Sequence, residues 1–71
     1  MSKLKELRKA QGLTQKDLAY LTGVNQRLIQ DYEQGRKNIN GAAGARLYRL
    51  AIALLCNIED LLELDQIDID N

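Results

Sequence analysis

The chain has 71 residues, with ten Lys and Arg, ten Asp and Glu, one Cys and no His, and this is the size of one small domain. Without histidine, and with Cys56 alone, it lacks the groups of a Ser/His or Cys/His nucleophile and of a clustered metal site. We therefore expect no enzymatic activity, cofactor or metal. Its longest apolar run, residues 50–56, is far shorter than the roughly 20 residues of a membrane helix. The single thiol suits a reducing compartment, so we expect a cytoplasmic protein.

Charge is unevenly distributed along the chain. Residues 1–49 hold all ten bases and four acids, a balance of ten minus four, or +6, whereas the remaining residues hold six acids and no base. The net charge of zero therefore hides a basic body and an acidic end. This separation indicates that one surface meets a polyanion, while the other faces solvent, a partner chain or the basic body itself. A mixed, solvated surface is the alternative interpretation.

Helix ends are marked by glycines and capping residues, because the chain contains no proline. The five predicted helices are, in chain order, residues 3–11 before Gly12, a helix opened by the capping box of Thr14 and Asp17, a helix from the cap Asn25 to Gly35, a helix from Gly41 or Ala42 to Leu55, and a short helix opened by Asn57 and Asp60. The residues predicted to face the core are Leu4, Leu7, Leu18, Ala19, Leu21, Leu28 or Ile29, Tyr32, Leu47, Leu50, Ala51, Leu54, Ile58, Leu61 and Leu62. Residues 1–64 form the predicted domain. Residues 65–71 form an acidic tail, and the alternating pattern from Leu64 is compatible with an edge strand or a frayed end.

Residues 15–34 have the spacing of a helix-turn-helix: about eight helical residues, a three-residue turn at Gly23 and a second helix. Ala19 is small enough for the two helices to approach closely, and Gly23 supplies the positive φ of a sharp turn. Val24 and Ile29 are apolar where they would pack beneath that turn. An ordinary helical hairpin without a ligand is the alternative. Four polar residues on the outer side of the second helix count against it: Gln26, Arg27, Gln30 and Asp31.

Three blocks of the sequence carry a resemblance to a known family. They are residues 7–19, which include Gly12-Leu13-Thr14-Gln15-Lys16-Asp17-Leu18-Ala19, residues 22–35, from Thr22-Gly23-Val24 to Tyr32-Glu33-Gln34-Gly35, and residues 47–62, from Leu47-Tyr48-Arg49-Leu50-Ala51 to Ile58-Glu59-Asp60-Leu61-Leu62. Over residues 4–64 the chain resembles the Cro/cI-type (XRE-family) helix-turn-helix regulators. The resemblance implies a compact, all-α, five-helix, lambda-repressor-like domain. It also implies a two-fold dimer that binds a palindromic operator in double-stranded DNA with its third helix in the major groove.

The resemblance assigns base reading to the third helix. Gln26 and Arg27, in its first turn, suit adenine and guanine respectively, and Gln30 and Asp31 are weaker candidates. Phosphate contacts are expected at the start of the second helix, by the resemblance, and in the short basic loop before the fourth, by position and charge. The phosphate candidates are Gln15, Lys16, Arg36, Lys37, Asn38 and Asn40. Solvated turns are the alternative for these residues.

Two further features concern the placement of the third helix. Asp31 departs from the family pattern, because an acid repels phosphate unless it accepts a hydrogen bond from cytosine N4 or pairs with Arg27 four residues earlier. Arg8 and Glu33 resemble a family pair that joins the first helix to the end of the third. We expect this pair to be partly buried and to fix the angle of the third helix.

A second apolar face is predicted on the fourth helix, where Tyr48, Ile52 and Leu55 follow the i, i+4, i+7 spacing. The family often has Lys and Gly in place of Ile52 and Leu55. A helix that is apolar on two sides needs two partners. We therefore expect this face, together with Ile67 and Ile69, to contact a second chain in a homodimer, or else to be covered by the tail.

The sequence thus predicts a sequence-specific DNA-binding transcription regulator, most simply a repressor. Two alternatives remain open. One is the antitoxin of a toxin–antitoxin pair, which would read DNA in the same way and bind a partner protein through its acidic C-terminal end. The other is an interaction module that has kept the fold and lost DNA binding, as Asp31 and the zero net charge would favour.

Overall fold

The computed structural model describes residues 2–63 of the chain, and these form helices and turns without any strand. The elements are α1 (Lys3–Ala10), α2 (Gln15–Thr22), α3 (Gln26–Glu33), a 3-10 helix (Ile39–Gly41), α4 (Gly44–Leu54) and a second 3-10 helix (Ile58–Leu61). The predicted all-α class is confirmed. Leu64, the predicted tail of residues 65–71 and the contacts expected of Ile67 and Ile69 lie outside the described residues. No helix within residues 2–63 has both the length and the apolar character needed to cross a membrane.

The turn between α2 and α3 has the predicted capping groups. The Thr14 hydroxyl accepts the Asp17 N–H at 2.9 Å, and the Asp17 carboxylate accepts the Thr14 N–H at 3.0 Å, which confirms the capping box. The hydrogen bond from the Thr14 backbone to the carboxylate, with a smaller contribution from the Thr14 side chain, lowers the pKa of Asp17. Gly23 ends α2 with a φ of 74°, and Asn25 Oδ1 accepts the Arg27 N–H at 2.7 Å to open α3. The helix-turn-helix is therefore fixed by local hydrogen bonds and one left-handed glycine.

The predicted fifth helix is shorter than expected, since it amounts to the single 3-10 turn of residues 58–61. The Asp60 carboxylate accepts the Asn57 N–H at 2.9 Å and opens this turn. Leu61 is fully buried, whereas Ile58 and Leu62 are only partly buried. The Leu62 N–H still donates to the Glu59 carbonyl at 3.3 Å, but the following N–H, that of Glu63, donates to the side chain of Asn40 at 2.8 Å and does not continue the helix.

The fourth helix also begins later than predicted, at Gly44 instead of residue 41 or 42. Of the residues before it, Gly41 ends the first 3-10 helix, and Ala42 and Ala43 are extended. The 3-10 helix contains Ile39, which lies in the core and is 3% exposed. Asn38 Oδ1 accepts the Asn40 N–H at 2.9 Å and opens that turn. The residues of α4 that were predicted to face the core are all buried: Leu47, Leu50, Ala51 and Leu54.

One residue predicted for the core lies outside it. Leu21 is 58% exposed, and Leu18 and Thr22 are the buried residues of α2. The Thr22 hydroxyl donates to the Leu18 carbonyl at 2.7 Å and accepts the Val24 N–H at 3.1 Å. Because its hydroxyl is satisfied locally, threonine takes the core position at the end of α2, and the helix turns Leu21 toward solvent.

Leu55 ends α4 in the left-handed conformation, with φ 56° and ψ 44°, and its side chain is 79% exposed. A side chain in this region is strained by about 1 kcal/mol or more, and an exposed leucine offers little packing in return within one chain. We expect Leu55→Gly to raise the free energy of unfolding of the monomer by about 1 kcal/mol. Urea unfolding at low protein concentration would measure this.

The matched control for this prediction is Leu55→Ala, which removes the same exposed side chain but keeps the Cβ that causes the strain. It should not gain the stability of the glycine variant. Equal stability of the two variants would contradict the prediction.

Candidate nucleic-acid interface

Polar side chains occupy one side of α3 and apolar side chains the other. At about 100° per residue, positions 26, 27, 30 and 31 fall within an arc of about 140°, which we call the outer face of α3. On the opposite side Ile29 is fully buried and Tyr32 is 8% exposed. Gln26 and Arg27 are exposed in the first turn, and Gln30 and Asp31 are partly exposed in the second. Packing of the inner side thus turns the predicted base-reading residues outward.

Arg27 and Asp31 approach each other on this face, with 3.5 Å between Arg27 Nε and Asp31 Oδ1. They are four residues apart, the spacing at which oppositely charged side chains meet on a helix. The Arg27 side chain is 75% exposed, whereas that of Asp31 is 15% exposed. The pair predicted from the sequence is therefore present, with the arginine as its outer member.

The basic loop that follows α3 lies against the same residue. Arg36 Nη1 is 3.3 Å from Asp31 Oδ1, and the backbone N–H groups of Arg36 and Lys37 donate to the Asp31 carbonyl at 2.9 and 3.3 Å. Lys37 and Asn38 are exposed. The loop thus continues the outer face of α3 with cationic side chains.

Asn40 has a different role from the predicted phosphate contact. Its Oδ1 accepts the Glu63 N–H at 2.8 Å and its Nδ2 donates to the Glu63 carbonyl at 3.1 Å. The Glu63 carboxylate in turn accepts the Lys3 N–H at 2.8 Å at the start of α1. Both ends of the Asn40 amide are therefore used inside the protein, and neither is free for the predicted phosphate contact.

Gln15 is also engaged within the protein. Its Nε2 donates to Glu33 Oε1 at 3.0 Å, and the residue is only partly exposed. Its amide nitrogen therefore links the start of α2 to the end of α3 instead of pointing to a phosphate. Lys16, the next residue, is exposed, so the positive charge at the start of α2 is available to an anion.

Arg8 and Glu33 form a two-point ion pair between α1 and α3. Arg8 Nε is 2.6 Å from Glu33 Oε2, and Arg8 Nη2 is 3.0 Å from Oε1, with side chains 9% and 2% exposed. Arg8 Nη1 also donates to the Leu13 carbonyl at 2.8 Å, in the connection between α1 and α2. One guanidinium thus joins α1, the turn that follows it and the end of α3.

The environment of this pair favours its charged form. Burial raises the pKa of Glu33, but the hydrogen bonds from Arg8 and Gln15 and the charges of Arg8 and Lys5 outweigh it, so that the pKa is lowered. The hydrogen bond to Glu33 raises the pKa of Arg8 in spite of its burial. The pair therefore stays ionised at neutral pH.

Three contacts around α3 were not predicted. They are those of Arg36 with Asp31, of Gln15 with Glu33 and of Arg46 with Tyr32, whose hydroxyl oxygen accepts from Arg46 Nη1 at 3.2 Å. The first joins residues five apart across the end of a helix, so no helical periodicity indicates it. The other two join residues 18 and 14 apart. The buried Tyr32, which needs a partner for its hydroxyl, was the one signal that could have led to Arg46.

The second apolar face of α4 is exposed as its spacing predicted: Tyr48, Ile52 and Leu55 all lie at the surface. Leu21 of α2 lies next to it, since Leu21, Ile52 and Ala53 line a common groove. This apolar surface is separate from the outer face of α3, because the two surfaces are formed by different helices.

Comparison with known proteins agrees with this arrangement. Residues 4–61 match the family model described as Helix-turn-helix. The crystal structure of the restriction-modification controller protein C.AhdI from Aeromonas hydrophila is similar, with 33% sequence identity, a TM-score of 0.73 and coverage of 84% of this chain and 86% of that one. No curated protein matches the sequence. With the family model spanning nearly the whole described domain, the chain belongs to the XRE family of helix-turn-helix proteins and is a DNA-binding transcription regulator.

Proposed function

We propose that the protein represses transcription by binding a palindromic operator as a two-fold dimer, with α3 of each protomer in the major groove. The observation that carries the proposal is the outer face of α3, where Gln26 and Arg27 are exposed in the first turn next to a loop with the cations Arg36 and Lys37. Glutamine and arginine can each make two hydrogen bonds to one base edge. A dimer bound over a promoter would exclude the transcription machinery without any further contact.

Phosphate contacts would set the register of α3 in the groove without reading sequence. We assign them to Lys16 at the start of α2 and to Arg36, Lys37 and Asn38 in the loop after α3, all of which are exposed. Gln15 supports them indirectly, because its contact with Glu33 holds the start of α2 against the end of α3.

The dimer would form through the second apolar face of α4. Tyr48, Ile52 and Leu55 are exposed there, and burying them against the same residues of a second chain would remove a continuous apolar patch from water. In such a dimer the two α3 helices would enter successive major grooves, with half-sites about 34 Å apart.

Selection from a pool of random duplexes tests the reading residues. We expect the wild-type protein to select a palindrome, and Arg27→Ala to lose its preference for guanine at one position in each half-site by about tenfold, because the pair of bonds to O6 and N7 is gone. The measurement is the affinity for the selected operator and for operators substituted at single positions.

Arg36→Ala is the matched control, since it removes an arginine of the adjoining loop. It should weaken binding to all sequences alike and reduce the dependence of affinity on salt. If no palindrome is selected even at low salt, the proposed palindromic operator is wrong and an interaction module of this fold is favoured.

The similarity to C.AhdI suggests which genes are regulated. That protein is a restriction-modification controller, so we propose that the operator of this chain lies upstream of a restriction or modification gene. Binding of the purified protein to the DNA upstream of its neighbouring genes would test this. A toxin gene adjacent to its own would favour the antitoxin interpretation instead.

A further inference from the structure

Asp31 is an acidic residue in the middle of a surface that we assign to a polyanion. Its Oδ1 lies 3.5 Å from Arg27 Nε and 3.3 Å from Arg36 Nη1. Its side chain is 15% exposed, whereas those of Arg27 and Arg36 are 75% and 55% exposed. Two basic side chains that remain open to solvent thus cover most of the acid.

The contact with Arg27 is made through the inner part of its guanidinium group. Nε is the nitrogen nearest to the helix, and it is the one closest to Asp31. The two Nη groups form the outer end of the planar fork, which is the end that bonds guanine O6 and N7. An ion pair at Nε leaves both Nη groups available to a base and favours the orientations in which they face outward, so that less rotamer entropy would be lost when Arg27 binds a base.

The contact of Asp31 with Arg27 favours binding to guanine, but the negative charge of Asp31 lowers the affinity for DNA. A carboxylate near the phosphates repels every duplex, whatever its sequence, and it offsets one of the cations that would release counterions. The contact with Arg27, in contrast, matters only where a guanine is present to be read. The same side chain therefore lowers non-specific binding and raises discrimination between bases.

We propose that Asp31 is a specificity-determining residue, which positions Arg27 for one base and weakens binding to all other sequences. The inference rests on the proposed function. Asp31 acts as a positioning residue for Arg27, and through Arg36 it links the reading residue to the loop that would contact phosphate.

The test is the isosteric variant Asp31→Asn, compared with the wild type on the selected operator and on random duplexes. At about 50 mM salt we expect affinity for random duplexes to rise about threefold, because one negative charge is removed from the surface that faces DNA. The preference for guanine at the position read by Arg27 should fall about fivefold, less than in Arg27→Ala. Specific affinity should therefore fall slightly while non-specific affinity rises, and a loss of stability alone would not change the two in opposite directions.

Two controls isolate this effect. Glu59→Gln removes the same charge from an exposed residue of the second 3-10 helix and should leave the base preference unchanged. In an Arg27→Ala background, Asp31→Asn should still raise non-specific affinity but should no longer change the base preference, because the residue that it positions is missing.

The outcomes separate the inference from the proposed function. If wild type selects an operator and Arg27→Ala relaxes one position, but Asp31→Asn keeps the base preference of wild type, the inference is wrong and the proposed function stands. If specific and non-specific affinity fall together, Asp31 has a structural role only, and the inference is again wrong. If wild type selects no sequence at all, the proposed function fails and the inference fails with it.

Discussion

Replacing Glu33 by alanine is expected to lower the free energy of unfolding by about 3–5 kcal/mol, because it leaves Arg8 buried without its counter-charge. The Arg8 and Glu33 side chains are 9% and 2% exposed and meet at two points, and the amide of Gln15 loses its acceptor in the same variant. A domain of this size has a total stability of roughly 4–10 kcal/mol, so much of the chain would be unfolded. Urea unfolding would measure the loss, provided that wild type and variant show the same dependence of the unfolding free energy on urea concentration.

The companion variant Glu33→Gln keeps a hydrogen-bond acceptor for Arg8 and should fold more stably than Glu33→Ala. It also tests the effect of pH. The pKa of Glu33 is lowered in the folded protein, so its contribution to stability is present above the ordinary glutamate pKa of about 4.3 and is lost as the pH falls through the folded value. Because glutamine has no carboxylate to protonate, the free energy of unfolding of Glu33→Gln should fall less at acidic pH than that of the wild type. Identical acid transitions in wild type and variant would contradict the assignment.

The variant Ile52→Lys is expected to make the protein monomeric and to reduce affinity for a two-half-site operator by about a hundredfold or more. The lysine charge would be buried without a partner in the centre of the dimer interface, which disfavours the dimer. Two monomers would then bind the two half-sites independently, and the gain in affinity from linking them would be lost. Light scattering measures the mass in solution, and titration of the operator measures the affinity.

Tyr20→Gln is the matched control for that change, because Tyr20 is an exposed aromatic residue of α2 outside the apolar face of α4. It should leave both mass and affinity unchanged. A wild-type protein that is monomeric at high concentration, together with full operator affinity of Ile52→Lys, would show that this face is not the dimer interface.

Local signals in the sequence predicted most of the fold correctly. Thr14 with Asp17 and Asn25 marked helix starts that the structure contains, and Gly23 has the positive φ that its turn requires. Predictions failed where long-range contacts decided the outcome. The contact of Glu63 with Asn40 takes the N–H that would have continued the last turn, and the packing of Ile39 in the core accompanies a separate 3-10 helix before α4. Neither contact leaves a periodic pattern in the sequence.

The sequence was sufficient to predict which helix carries the candidate site and which of its residues face outward. Packing of Ile29 and Tyr32 on one side of α3 determines which residues face outward, so Gln26 and Arg27 followed from spacing. The pairing of Arg27 with Asp31 also followed from their spacing of four residues, but the contact of Arg36 with the same carboxylate did not follow, because no helical periodicity extends past the end of α3. Only the folded arrangement shows that Arg27 and Arg36 share this carboxylate.

The first and last residues of the described domain are joined through Glu63, which bonds to the backbone of Lys3 and to the side chain of Asn40. Separating Glu63 from the domain therefore also removes the acceptor of the Lys3 N–H at the start of α1 and the side-chain bonds of Asn40, in the segment that leads into α4. Small domains lose stability most easily from their ends. Because these bonds join the two ends, we expect opening at one end of the described domain to weaken the other end and the segment that follows the basic loop.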